Sequence, residues 1–208
     1  MTTILPAILA NTIEEAQEKL AMVLHLASMV QIDISDGIFT PSTLLYDPRY
    51  IHSLHTTLML DLHLMIKSPE QELEEWVKDA RVKRITFHKE ACDDSERMIA
   101  RIKEHGKEAC IACNPETQLH DIEPYLASAD MVLCLGVHPG KGGQTFIPEV
   151  LEKVELLRAW GSPVGIDGGV NADTAPDMVH AGAGYLVVGN FLFNNPHMRH
   201  AYEWLESL

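Results

Sequence analysis

The feature that most narrows the fold of this chain is an alternation. Short apolar runs of strand character are each followed by a segment carrying helix signals, and the pair recurs eight times across the 208 residues. The strand-like runs are Ile4–Leu9, Val30–Asp36, Leu58–Met65, Arg84–His88, Glu108–Cys113, Met131–Val137, Val164–Asp167 and Tyr185–Gly189. Between them, Thr12 can cap a helix whose first turn carries Glu14 and Glu15, Asp47-Pro48 opens a short helix, and Ser68-Pro69-Glu70 starts another. Further helices are expected over about Asp94–His105, Thr117–Ala127, Pro148–Trp160 and Ala172–Ala181, and a last one runs to the chain end; Gly106 and Gly182 act as terminating glycines. Such alternation predicts a parallel sheet with right-handed crossovers. Eight units of about 26 residues each favour closure over an open sheet. No linker or low-complexity tract breaks the pattern, so residues 1–208 read as one α/β domain, a single (βα)8 TIM barrel.

Charge narrows the partners. Thirty acidic against 16 basic residues leave a formal net charge of −14, which argues against nucleic acid or an anionic membrane surface. A few backbone N–H groups can still bind a small anion locally. No apolar run reaches the roughly 18 residues that span a bilayer. The Met1–Asn11 stretch has no basic segment of the signal-peptide kind, so a cytoplasmic location is expected. Cys110 and Cys113 have C-x-x-C spacing, but in a strand positions three apart point to opposite faces. With Cys92 and Cys134 they read as reduced core thiols.

Two strands alternate cleanly. Gln31, Asp33 and Ser35 share one face of the second run against Ile32 and Ile34; Asp61, His63 and Met65 share one face of the third against Leu60, Leu62 and Leu64. The outside of a barrel packs on helices and must be apolar, so the polar sets point inward. Near the strand C-termini, inward polar groups line the functional face. Ile166-Asp167-Gly168-Gly169-Val170 adds a third carboxylate at a strand end, followed by two glycines whose bare backbone can approach an anion. Asp33, His63 and Asp167 are therefore the candidate chemical group.

Six separated motifs carry a resemblance over nearly the whole chain: Leu5–Leu9 (LPAIL), Ile32–Pro41 (IDISDGIFTP), Asp61–Met65 (DLHLM), Ile85–Ala91 (ITFHKEA), His138–Phe146 (HPGKGGQTF) and Asp167–Val170 (DGGV). The chain resembles the ribulose-phosphate 3-epimerase family. The resemblance implies a barrel of the ribulose-phosphate-binding type and interconversion of D-ribulose 5-phosphate and D-xylulose 5-phosphate in the pentose phosphate pathway. It implies that Asp33 and Asp167 act as paired acid and base, and that they hold one divalent metal ion with His63 and a further histidine. The substrate phosphate is expected on Gly140, Gly142 and Gly143, on Gly168 and Gly169, and on the Gly189-Asn190 turn. His88 and Glu90 match the family motif and are expected to support the site from behind. Family members are commonly homo-oligomers.

The chain departs from the family near the expected site. Gln31 replaces the first metal histidine; an amide oxygen is a neutral, hard ligand that leans toward Mn²⁺, Fe²⁺ or Mg²⁺ rather than Zn²⁺, or the site holds no metal. Ala7 stands for a serine, Ser35 and Leu135 for methionines, Ile38 for a histidine, Asn190 for a serine, and His138 for Asn or Glu. The phosphate half is kept while the reacting end is altered. This leaves three readings: the 3-epimerase itself, an epimerase or isomerase of another ketose phosphate, and a catalytically silent phosphosugar-binding protein. A Schiff-base aldolase is disfavoured, because neither Lys67 nor Lys89 has an apolar setting. The Asp-x-Lys signature of phosphosugar decarboxylases is absent from Asp33-Ile34-Ser35.

Overall fold

The computed structural model describes residues 2–208. Its parallel strands are β1 Thr3–Ile8, β2 Met29–Asp36, β4 Met59–Met65, β5 Val82–His88, β6 Glu108–Cys113, β7 Met131–Leu135, β8 Val164–Asp167 and β9 Tyr185–Val188. They pair in the order β1-β2-β4-β5-β6-β7-β8-β9, and β9 returns to β1 to close the barrel. A two-residue strand, β3 (Thr43–Leu44), runs antiparallel on β2 with Ser35 opposite Leu44. It holds down the loop after β2 and was not expected from the sequence, because two residues carry no periodicity.

The two faces of each strand separate as the alternation predicts. Ile32, Ile34, Leu60, Leu62, Leu64, Ile85, Phe87, Val132 and Ile166 lie in the apolar layer between the strands and the helices. Each such burial contributes about 1.5–3 kcal/mol. A separate inner cluster of Leu5, Ala7, Cys110, Ala112, Met131, Leu133, Leu135 and Val187 fills the barrel. Cys110 is in the inner cluster and Cys113 in the outer one, so the C-x-x-C pair is divided between faces. All four cysteines are free and buried.

The helices follow their signals closely at their starts. Thr12 caps α1 (Ile13–Val23) by accepting from the Glu15 N–H at 3.2 Å. Asp47 caps α2 (Pro48–Ser53), accepting from the Arg49 N–H at 2.9 Å. Asp94 caps α4 (Ser95–Glu104), accepting from the Arg97 N–H at 3.0 Å. The helix expected over Thr117–Ala127 is instead two 3₁₀ turns, Leu119–Asp121 and Glu123–Tyr125. Pro124 lacks the N–H that an α-helix would need at that point. Likewise only a 3₁₀ turn at Pro69–Gln71 and one α turn, α3 (Leu73–Trp76), follow β4.

One end of the barrel interior is plugged by charge. Arg84 Nη1 stands 3.3 Å from Asp61 Oδ2, Arg84 Nη2 2.9 Å from Glu108 Oε2, and the Thr86 hydroxyl donates to Asp61 Oδ1 at 2.7 Å. The guanidinium also lies over the Tyr185 ring at 5.1 Å. Asp61, Arg84, Glu108 and Tyr185 come from the first halves of their strands, so the pair closes this end and leaves the carboxyl ends open.

Candidate functional site

The carboxyl ends of the strands and the loops after them enclose a cavity of about 380 Å³. Register builds its floor. Gln31 pairs with Ala7 across β1 and β2, Asp33 with His63 across β2 and β4, and Asp167 with Leu135 across β8 and β7. Inner-face side chains of β2, β4 and β8 converge here, and the three residues singled out from the sequence meet. His63 Nδ1 is 3.2 Å from Asp167 Oδ2 and 3.4 Å from Asp33 Oδ1. One ligand atom from each of Asp33, His63 and Asp167 lies within 4.8 Å of the other two.

Gln31 completes the group, fully buried. Its Nε2 donates to Asp33 Oδ1 and to Asp167 Oδ2, both at 2.8 Å, and lies 3.2 Å from His63 Nδ1. Its Oε1 is buried without a hydrogen-bond partner. An amide N–H donating to two carboxylates is a role that the sequence, which poses Gln31 as a metal ligand or a lost one, does not suggest. Composition cannot indicate which end of an amide faces a cluster.

Behind His63 stands a chain of groups that starts at the fully buried His88 and ends at Glu90 near the surface. His63 Nε2 is 2.9 Å from His88 Nε2, the two rings are stacked at 5.0 Å, and Phe39 packs on His88 at 4.8 Å. His88 Nδ1 faces Glu90 Oε2 at 3.4 Å, without hydrogen-bond alignment. Glu90 in turn accepts from the Asn114 N–H at 2.8 Å and from the Thr117 hydroxyl. The ITFHKEA motif thus places His88 directly behind His63, with Glu90 beyond it.

The electrostatics follow from burial and these contacts. Burial raises the Asp33 pKa, and the neighbouring Asp167 charge adds to it, against the bonds from His63 and Gln31. Burial opposes charge on His63, yet its contacts to Asp167 and Asp33 prevail and lift its pKa to about 10. Burial lowers the pKa of His88 and keeps it neutral. The pairing that sets no N–H against another has His63 Nε2–H donating to His88 Nε2, and this fixes the orientation of the His63 ring.

The glycine loops form the other side of the cavity. Gly140, Gly142, Gly143, Gly168, Gly169, Gly189 and Asn190 all line it. Gly168 and Gly169 have φ of +96° and +75°. A Cβ on Gly169 would stand 2.7 Å from Phe146 Cβ, so only glycine lets the loop after β7 pack on this turn. The N–H groups of Gly142, Gly143 and Gly169 make none of the loops' internal backbone hydrogen bonds. Gly140 is a joint: its carbonyl accepts from the Ser42 hydroxyl at 2.6 Å, and Thr40 lies against its Cα. Gln144 Nε2 braces the same loop on the carbonyls of His138 (2.6 Å) and Lys141 (2.7 Å).

Of the positions where the chain departs from the family, Ala7 and Leu135 line the cavity with Met65. Ser35 is not among the cavity-lining residues. It is buried, bonded to the Thr40 hydroxyl, and donates to the Ser42 carbonyl at 2.6 Å. A serine there fastens the loop that carries β3, instead of shaping the pocket wall.

The donor chemistry fits a divalent metal. Donors held by one ion at about 2.0–2.2 Å stand roughly 3–3.6 Å apart. The His63–Asp contacts of 3.2 and 3.4 Å fall in that range. The atom of Gln31 that faces these three is its amide nitrogen, at 2.8–3.2 Å. Two carboxylates and an imidazole make a coherent three-residue set that could hold such an ion.

Comparison with known proteins now decides the lineage. The sequence profile of the ribulose-phosphate 3 epimerase family matches residues 3–193. The chain belongs to the ribulose-phosphate 3-epimerase family. Within this family of enzymes, it is 36% identical over 176 residues to the ribulose-phosphate 3-epimerase of Bacillus subtilis, with 80% of each chain covered. It is 31% identical over 214 residues to that of Escherichia coli, covering 98% of this chain and 94% of the relative. Among solved structures, 3-keto-L-gulonate-6-phosphate decarboxylase from Vibrio cholerae superposes with a TM-score of 0.77 at 13% identity, covering 99% of this chain and 96% of that one. A 3-hexulose-6-phosphate synthase gives 0.73 at 19% identity, covering 99% of each. At such identities these two likenesses establish the barrel and nothing about chemistry.

Proposed function

We propose that this member of the ribulose-phosphate 3-epimerase family interconverts D-ribulose 5-phosphate and D-xylulose 5-phosphate, with Asp33 and Asp167 as its acid–base pair. The observation that carries the reading is the pair itself: two aspartates on separate strands, held at one level of a cavity whose other side is bare glycine backbone. The C3 proton of a 2-ketose is acidified by the adjacent C2 carbonyl. Inverting C3 requires removing that proton from one face and returning a proton to the other, which needs a carboxylate on each side.

The phosphate of the substrate is read as bound by the N–H groups of Gly142, Gly143, Gly169 and the Gly189-Asn190 turn, which places the sugar's C2–C3 end toward the aspartates. Asp33, His63 and Asp167, with Gln31 as fourth donor, would hold one divalent metal, for which the amide favours Mn²⁺, Fe²⁺ or Mg²⁺ over Zn²⁺. When bound, such an ion supplies electrostatic stabilisation for negative charge developing on the C2 and C3 oxygens. His63 is oriented by His88, which lies between His63 and Glu90, and the aspartates flank this ordered imidazole. Leu135, Ala7 and Met65 give this end of the cavity an apolar wall that keeps water from the carbanion-like state.

That wall also supports a second reading, an epimerase of another ketose phosphate, because Ala7 and Leu135 replace family residues beside the reacting carbons. The test is turnover of a panel of ketose phosphates by the wild type, Asp33→Asn and Asp167→Asn. Each variant is expected to lose about 10²–10⁴-fold in kcat with an unchanged fold. Near-wild-type turnover by either variant overturns the two-aspartate assignment. A clear preference for a ketose other than a pentulose selects the second reading.

A further inference from the structure

The Gln31 side chain is oriented the wrong way for a metal ligand, and that orientation is informative. Its Nε2 faces the cluster, 2.8 Å from a carboxylate oxygen of each aspartate, and its Oε1 faces buried space without a partner. An amide oxygen turned toward two carboxylates is repelled, so without a cation the N–H end belongs inside. The N and O of a carboxamide exchange places by half a turn about one bond, with almost no change of shape. After that turn the oxygen stands where the nitrogen stood, among Asp33, His63 and Asp167. Only a cation in their midst makes this arrangement favourable.

We infer that the Gln31 amide is a two-position switch: turned nitrogen-in it holds Asp33 and Asp167 together in the absence of metal, and turned oxygen-in it serves as the neutral fourth ligand when a divalent cation binds. A histidine at this position can ligate as the neutral ring, but it offers at most one N–H to the two carboxylates. A carboxamide offers two, one for each. The substitution therefore exchanges ligand strength for a cluster that keeps its shape empty. The protein is expected to bind and release its metal without unfolding the site, with weaker affinity than a histidine would give.

The inference rests on the reading of Asp33, His63 and Asp167 as a ligand set, and the experiment separates the two. Wild type, Gln31→His and Gln31→Met are freed of metal with a chelator. Their thermal midpoints are recorded, and Mn²⁺ is titrated in by calorimetry. Methionine keeps the length of the side chain and removes both amide ends. Relative to wild type, metal-free Gln31→Met is expected to melt lower by about 5 °C or more and to bind Mn²⁺ at least tenfold more weakly. Gln31→His is expected to bind Mn²⁺ more tightly and to melt lower when metal-free. In ¹⁵N spectra, the one side-chain NH₂ pair absent from both variants is expected to be protected from exchange in metal-free wild type and to shift on addition of Zn²⁺. Equal metal-free midpoints and equal Mn²⁺ affinities for wild type and Gln31→Met overturn the switch. Binding by Gln31→His but not by wild type also overturns it while leaving the three-residue set intact. Binding by none of the three overturns the ligand set itself.

Discussion

Alanine at Gly142 and alanine at Gly169 make opposite demands on the same cavity and so separate binding from folding. At Gly169 the backbone has φ +75°, and an added Cβ would stand 2.7 Å from Phe146 Cβ and 2.9 Å from Phe146 Cα. The left-handed conformation costs alanine about 1 kcal/mol, and a clash with near-backbone atoms adds about 1–3 kcal/mol. Gly169→Ala is therefore expected to lower the melting temperature by roughly 5–15 °C in a chain of this size. Gly142 has no positive φ, and its Cβ would stand 3.5 Å from Asn190 Nδ2 and from Leu9 Cδ2, ordinary contact distances. Gly142→Ala is thus expected to melt within about 1 °C of wild type. Its methyl group nevertheless enters the cradle assigned to the phosphate. Losing one hydrogen bond to a charged group, about 1.5–3 kcal/mol, raises KM for D-ribulose 5-phosphate by about tenfold to a hundredfold with little change in kcat. Thermal melts and steady-state kinetics on the two variants check this. A stable Gly142→Ala protein with KM within twofold of wild type would refute the assignment of the phosphate to these glycines.

Other consequences concern the scaffold. Arg84→Met strands the fully buried Asp61 with only Thr86 as a partner, and chemical denaturation is expected to show a loss of about 3–5 kcal/mol. Replacing Arg84 and Asp61 together by apolar residues should recover most of it; equal losses in the single and double variants would contradict the account. Asp79 is held well down, at about 2, chiefly by bonds from the Arg81 guanidinium, with its backbone N–H and His52 adding to them against partial burial. Because the folded pKa lies below the unfolded value, the contribution of about 2 kcal/mol is complete above the unfolded pKa of about 4. It is lost as pH falls toward 2. The stability gap between wild type and Asp79→Asn is expected at neutral pH and to close between pH 4 and 2, followed by denaturation at each pH.

The barrel was legible because its signal is distributed. Ile32, Ile34, Leu60, Leu62 and Leu64 each occupy the outer face, and no single position carries the inference. Asp33, His63 and Asp167 were legible for a related reason: inward polar residues at strand ends leave few places to go, and register sets Asp33 beside His63. The segment 117–127 misled because Leu119, Ile122 and Leu126 have helical spacing, while the cost of Pro124 is local and overrides it. Ser35 misled because alternation places it on the inner face with Asp33. The loop it fastens depends on β3, two residues whose pairing has no sequence pattern. The orientation of Gln31 was beyond reach because it depends on three partners from β2, β4 and β8 at once.

If Asp33 and Asp167 exchange the C3 proton of a ketose phosphate from opposite faces, that proton is replaced by one from solvent. The most direct measurement is the ¹H NMR spectrum of D-ribulose 5-phosphate incubated with the purified protein and Mn²⁺ in D₂O, recorded after the metal is removed. D-xylulose 5-phosphate is expected to accumulate carrying deuterium at C3, and the C3 signal of the remaining D-ribulose 5-phosphate to fade with it. Retention of the C3 proton in both sugars, with no epimer formed, would contradict it.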